Sequence, residues 1–256
     1  MQVAQDEDGT GAARERAASV NPDEIARFSA LAERWWDPQG PMRPLHRMNR
    51  LRVGWAQSRF ASLPGLPQTP DLLDLGCGAG IAAEALALRG FQVTGLDASA
   101  EAIEAAEAHR LAQLASQPAL ASRLRYRTGS GETLRDEGQR FHLITALEVI
   151  EHVPDPVSFL RLLASLLRPG GGIVISTLNR SLRSLLAAKI GAEYVLGLLP
   201  RGTHEWRRFV TPAELGRHAA EAGLRVADLA GMTATPGGWR ESRDTSINYV
   251  ALLTDR

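Results

Sequence analysis

The chain is predicted to be an α/β protein, with an open, mostly parallel sheet covered by helices on both faces. Short apolar runs of strand length alternate with helical patterns between Asp71 and Thr177. The first of these runs ends in a glycine turn that opens a helix. A third observation is size: 256 residues, 44% of them apolar, are enough to bury a substantial core.

The first twenty residues are small, charged and aperiodic, and are expected to form a disordered lead-in to one domain spanning 21–256. That domain opens with a helical cap, 21–62. Ile25, Phe28, Leu31, Ala32 and Trp35 recur at helical spacing behind Asn21 and Pro22. A second helical stretch covers Leu45 to Phe60, and SLPGLPQTP separates the cap from the sheet. Strands are expected at Asp71–Leu75, Phe91–Leu96, Leu124–Thr128, Phe141–Ala146 and Gly171–Thr177. Helices are expected from Ile81 to Arg89, after the N-cap Ser99, and from Pro156 to Leu167. Residues 178–210 interrupt the alternation between strands five and six. Thr211 and Glu214 then have capping-box spacing, and Leu224–Leu229 and Ile247–Leu253 are expected to close the sheet as an antiparallel edge.

Lys and Arg total 29 and so do Asp and Glu, which argues against wholesale nucleic-acid binding. One cysteine excludes an internal disulfide framework and a cysteine-only zinc site. No apolar run is long enough to span a bilayer, and the N-terminus has no secretory h-region, so the cytoplasm is the expected compartment.

The most informative stretch is Asp74-Leu75-Gly76-Cys77-Gly78-Ala79-Gly80. Gly76 and Gly78 let the backbone turn tightly and approach a ligand, while the following helix offers free N–H groups. The G-x-G-x-G spacing differs from the dinucleotide pattern, and an acid precedes it. Asp74 is unhelpful beside a pyrophosphate but suits a cofactor carrying a sulfonium and an ammonium. Asp97, 21 residues after Gly76, can accept from both hydroxyls of an adenosyl ribose. A plain turn and helix cap would account for any one of these residues, but not readily for the set in this order.

The expected fourth strand leads into Ala146-Leu147-Glu148-Val149-Ile150-Glu151-His152. Ligands bind beyond the C-terminal ends of parallel strands, so this segment should face the cofactor cleft. Leu147 is placed beside the adenine ring. If the segment turns helically, Glu148, Glu151 and His152 share a face and can hold a divalent ion such as Mg2+. His152 can instead act alone as a general base. Both readings stand against a third, in which the acids merely open a helix and His152 is a loop residue.

WWDPQGPMRPLHRMNRLRV, DLGCGAG, GLDAS, EVIEHVPDP, TLNRS, GAEYVLGLLPRGTHEW and INYV together resemble the ubiquinone-biosynthesis O-methyltransferase family, from about Ile25 to Leu252. DLGCGAG is common to a superfamily, whereas WWDP, PLHxxN and EVIEHV are far more specific. The resemblance implies a class I, Rossmann-like methyltransferase fold with S-adenosyl-L-methionine as cofactor. It implies O-methylation of 2-polyprenyl-6-hydroxyphenol and 3-demethylubiquinol. It further implies cofactor contacts at Arg52, Gly76, Asp97 and Leu147, and a divalent ion at Glu148, Glu151 and His152. Arg52 suits the methionine carboxylate, although a solvated helix charge is the alternative. Arg50 departs from the family pattern, which usually has proline there.

Residues 178–210 fit a substrate lid. Leu182, Leu185, Leu186, Ile190, Tyr194, Val195, Leu198 and Leu199 form an apolar face interleaved with Arg180, Arg183 and Lys189. Such a helix can lie transiently in a lipid interface at the inner membrane face, taking a prenylated ring from it, or can be ordinary core. Trp35, Trp36, Trp206 and Trp239 line a substrate pocket or anchor packing. Two other classes stay open: a methyltransferase for a different small molecule, and a non-catalytic module of a ubiquinone-biosynthesis protein complex.

Overall fold

The computed structural model describes residues 34–40, 42–181, 184, 208–236 and 238–256. The lead-in at 1–20, most of the helix expected from Asn21, Trp206 and most of the 178–210 insert lie outside the described residues. Eight strands are described: β1 (Asp71–Leu75), β2 (Gln92–Asp97), β3 (Leu124–Thr128), β4 (Phe141–Leu147), β5 (Leu167–Leu178), β6 (Leu224–Thr235), β7 (Gly238–Ser242) and β8 (Asn248–Asp255). The helices are α1 (Arg43–Phe60), α2 (Ile81–Ala87), α3 (Ala100–Gln113), α4 (Ala119–Arg123), α5 (Gly131–Asp136), α6 (Pro156–Leu166) and α7 (Pro212–Glu221).

The strands form one sheet in the order β3-β2-β1-β4-β5-β8-β6-β7. β1 to β5 are mutually parallel. β8 enters antiparallel between β5 and β6, and β7 pairs antiparallel with β6 at the edge. The chain winds from β1 outward through β2 and β3, then returns to place β4 on the other side of β1. That reversal opens a crevice at the C-terminal ends of β1 and β4, where ligands of open α/β sheets bind.

Residues adjacent along β4 feed opposite faces of the sheet. Leu143 packs with Phe60 of α1 and Leu86 of α2, whereas Ile144 packs with Phe159 of α6 and Leu215 of α7. The helix starts follow side-chain chemistry. Ser99 accepts from the Ala102 N–H at 3.0 Å, and Thr211 with Glu214 completes the expected capping box. Asp155 accepts from the Val157 N–H at 3.0 Å, ahead of Pro156 in the first turn of α6.

Two local features bear on the sequence reading. The segment after β4 is a series of turns rather than a helix, because Glu148 leaves the strand with φ at 57°. β7 was not foreseen from its sequence, GWRES, and is held by backbone pairing to β6. α1 runs unbroken through Arg50. No helix among the described residues is long and apolar enough to cross a membrane.

Candidate active site

The glycine turn sits at the crevice between β1 and α2. Gly76 has φ 74° and Gly78 φ 54°, conformations that disfavour a Cβ. A Cβ at Gly76 would lie 2.6 Å from Val149 Cγ2, and one at Gly78 would lie 2.4 Å from Trp35 Cζ2. The turn therefore admits glycine on conformational and spatial grounds alike. The Gly76 and Cys77 N–H groups donate to the Leu96 carbonyl at 2.8 and 3.1 Å, which ties the turn to the end of β2.

Asp97 ends β2 and bridges the turn to α3. One carboxylate oxygen accepts from the Gly78 N–H at 2.8 Å and the other from the Ser99 N–H at 2.9 Å. Each oxygen keeps a lone-pair direction that can receive a hydroxyl. Burial raises the Asp97 pKa, while the Ser99, Gly78 and Ala98 backbone bonds act against that rise.

Asp74 lies deeper, 2% exposed at the end of β1. Its Oδ1 accepts from Thr145 Oγ1 at 2.7 Å, whereas Oδ2 is buried without a hydrogen-bond partner. Burial, opposed mainly by Thr145 and Arg52, pushes its pKa up to about 6. Arg52 reaches the same pocket from α1. It is 3% exposed, its Nη1 stands 3.5 Å from Glu148 Oε1, and its Nε has no partner. Burial lowers the Arg52 pKa, and Glu148, Asp74 and Glu151 all act against this.

Glu148 keeps its left-handed backbone through several bonds. Its N–H donates to the Ser176 carbonyl at 2.9 Å, and its carboxylate accepts from Ser176 Oγ at 2.7 Å. Glu151 is buried and accepts from Thr177 Oγ1 at 2.8 Å. Burial first and Glu148 second raise its pKa, while neighbouring His152 pulls it down. His152 is half-buried, and its N–H donates to the Val149 carbonyl at 2.9 Å. Leu147, the last residue of β4, is half-buried and packs against the core face shared by α1 and α2.

The expected residues thus gather at one crevice, but not as a metal cage. Among the described residues, no three His, Cys, Asp or Glu side chains converge as ligands for an ion. Glu148 and Glu151 are instead engaged by Ser176, Thr177 and Arg52. The donor set does suit a zwitterion that also carries a sulfonium. Asp74 Oδ2 lacks a cationic donor and Arg52 Nε lacks an acceptor, and an amino-acid headgroup supplies both.

The sequence reading does not single out Thr145, Ser176 and Thr177, although each is a hydroxyl near the C-terminal end of a strand that is mostly buried. The strap Trp35-Trp36 was singled out only in general terms, and both residues meet the glycine turn. Trp36 Nε1 donates to the Ala79 carbonyl at 2.8 Å, and its ring stacks on His109 at a centroid distance of 3.4 Å. Trp239 lies away from the turn, against α1.

Sheet order, glycine turn and paired strand-end acids define a class I methyltransferase, and the family model described as a methyltransferase domain matches residues 45–229. The magnesium protoporphyrin IX methyltransferase of Synechocystis PCC 6803, solved with bound SAH, shares the fold. Its TM-score is 0.60 at 22% identity, covering 96% of this chain and 100% of that one. The CcbJ methyltransferase of Streptomyces caelestis does so with a TM-score of 0.61 at 18% identity, covering 91% and 97%. In sequence, the Parvibaculum lavamentivorans ubiquinone biosynthesis O-methyltransferase is 45% identical over 92% of this chain and 94% of its own. Its Nitrosospira multiformis counterpart is 44% identical over 91% and 94%. The chain belongs to the ubiquinone biosynthesis O-methyltransferase family.

Proposed function

We propose that this chain methylates ring hydroxyls of polyprenylated phenols in ubiquinone biosynthesis, 2-polyprenyl-6-hydroxyphenol and 3-demethylubiquinol, using S-adenosylmethionine. When bound, S-adenosylmethionine supplies a methyl already activated by its sulfonium for in-line transfer to the ring oxygen. One observation carries the reading: Asp74 Oδ2 is buried without a partner beside a glycine turn, with Arg52 facing the same pocket. A buried carboxylate oxygen left open in this way is costly unless a ligand donates to it.

Asp74 receives the cofactor's ammonium and Arg52 its carboxylate. Asp97 accepts from the ribose hydroxyls, Gly76 and Gly78 bring backbone close to the ligand, and Leu147 lies beside the adenine. Asp74, Glu148 and Glu151 around one arginine make the pocket favour a ligand of net positive charge. That preference weakens once the methyl is gone, which aids product exchange. His152 takes the phenol proton as general base. Trp35 and Trp36 cover the glycine turn and exclude water from it.

A divalent ion such as Mg2+ at Glu148, Glu151 and His152 is a separate part of this reading. Ser176 and Thr177 each occupy one carboxylate oxygen of the pair and leave the other for an ion, and no step above depends on it. The 178–210 insert is read as a lid that touches the inner membrane face, so that a prenylated ring enters from lipid. A biosynthetic protein complex would serve the same delivery.

The test is methyl transfer from S-adenosylmethionine to a short-chain prenyl catechol, after chelation and again with Mg2+ added. Turnover is the expected outcome. Dependence on Mg2+ places an ion in the mechanism, and indifference to chelation leaves proton removal to His152. Cofactor binding without turnover on any such ring would overturn the substrate assignment.

A further inference from the structure

We propose that the groove between α1 and the β6–β7 hairpin is a phosphate-binding site, distinct from the methyl-transfer crevice. The groove encloses about 540 Å3, and Arg47, Arg50, Trp55, Ser58, Trp239 and Glu241 are among its lining residues. α1 contains five arginines and no Asp or Glu, so no neighbour on the helix neutralises them. Arg47 and Arg50 are exposed and stand one turn apart. Among the described residues, neither side chain makes a hydrogen bond or ion pair.

Other contacts in the groove keep those two guanidiniums available. Glu241 is the one carboxylate among the lining residues, and Arg59 claims it at 2.5 Å while also holding Asp228 at 2.9 Å. Arg59 in turn lies over the Trp55 ring, 4.6 Å from its centroid, which fixes one wall of the groove. Trp55 is 3% exposed, and its indole Nε1 has no partner among the described residues. The Ser58 hydroxyl adds a donor on the exposed side.

The chemistry of this set selects phosphate. A guanidinium fork meets two oxygens of an oxyanion at once. One fork satisfies a carboxylate, whereas a phosphate group keeps oxygens for a second fork and for a hydroxyl. Arg52 points into the crevice toward Glu148, and Arg50, two residues earlier, is roughly 200° away around the helix axis. α1 therefore separates the two sites.

A free phosphate ester and a phospholipid headgroup present the same chemistry, and the experiment separates them. The full-length protein is titrated calorimetrically with glycerol 3-phosphate at constant ionic strength. It is also co-sedimented with vesicles of phosphatidylglycerol in phosphatidylcholine, against vesicles of phosphatidylcholine alone. The parent is expected to bind at least one phosphate probe, and Arg47→Gln/Arg50→Gln to bind it at least tenfold more weakly with an unchanged melting temperature. Arg47→Lys/Arg50→Lys, which keeps charge but loses the forks, is expected to fall between the two. Binding of the soluble ester alone identifies a metabolite site, and binding of anionic vesicles alone identifies a headgroup site. Failure of the parent to bind either probe, or equal binding by the glutamine variant, would overturn the proposal. Neither result bears on methyl transfer, which is read separately.

Discussion

Buried between Thr145 and Arg52, Asp74 holds a proton more tightly in the folded protein than in the unfolded chain, with its pKa near 6 instead of 3.8. Stability therefore falls as pH rises from about 4 to about 6, and the full cost, about 3 kcal/mol, is present at pH 7.5. Asp74→Asn removes this dependence. Its stability relative to the parent is expected to improve by about 3 kcal/mol between pH 4 and pH 7.5, in paired denaturant titrations. The same variant should bind S-adenosylmethionine at least tenfold more weakly at pH 7.5. An unchanged dissociation constant would remove Asp74 from the cofactor site. The acid was legible in the sequence because it stood one strand residue before a glycine turn. Its counterpart Thr145 was not, since a threonine within FHLITAL reads simply as a β-former.

At the scale of elements, the Trp35-Trp36 strap is held from three sides. His46 Nε2 lies 2.9 Å from the Trp35 carbonyl, Ala79 accepts from Trp36, and His109 stacks beneath it while bonded to Glu84 at 2.9 Å. Trp36→Ala is expected to raise the cofactor dissociation rate about tenfold in stopped-flow measurements, the loss of one aromatic stack and one hydrogen bond. The Trp36→Phe variant keeps the stack and should recover part of it. Equal rates in all three proteins would make the strap mere packing. Strands were readable where the pattern along the chain was clean: β1 is a buried apolar run and β3 an alternating, partly exposed one, and both fall where those runs place them. β7 was not, because GWRES has neither alternation nor an apolar run and exists as a strand only through β6. In EVIEHV a helical turn was one condition among several readings, and a single residue decides against it. Glu148, Glu151 and His152 have helical spacing, but Glu148, the residue after β4, turns left-handed, which spacing does not reveal.

Across the whole molecule, α1 joins the sheet to the crevice. Phe60 at its end is fully buried, edge-on to Phe91 with ring centroids 6.2 Å apart, while Arg52 two turns earlier reaches the cofactor pocket. Phe60→Ala is expected to cost roughly 3–5 kcal/mol and to lower the melting temperature by about 10 °C. It should also weaken cofactor binding, because Arg52 is positioned by the same helix. A melting temperature within 2 °C of the parent would show α1 to be only loosely attached. The sheet's order carries a different consequence. β8 lies between β5 and β6, yet it is the last of the eight strands to leave the ribosome. Until Asn248–Asp255 emerge, β5 presents an open hydrogen-bonding edge and β6 has no partner on its inner side. At about 5–20 residues per second, the growing chain spends several seconds with that edge uncovered between the synthesis of β5 and of β8. Nascent chains of this protein are thus most open to mispairing and most in need of a chaperone between the synthesis of β5 and of β8, when the crevice residues on β1, β2 and β4 have already been made.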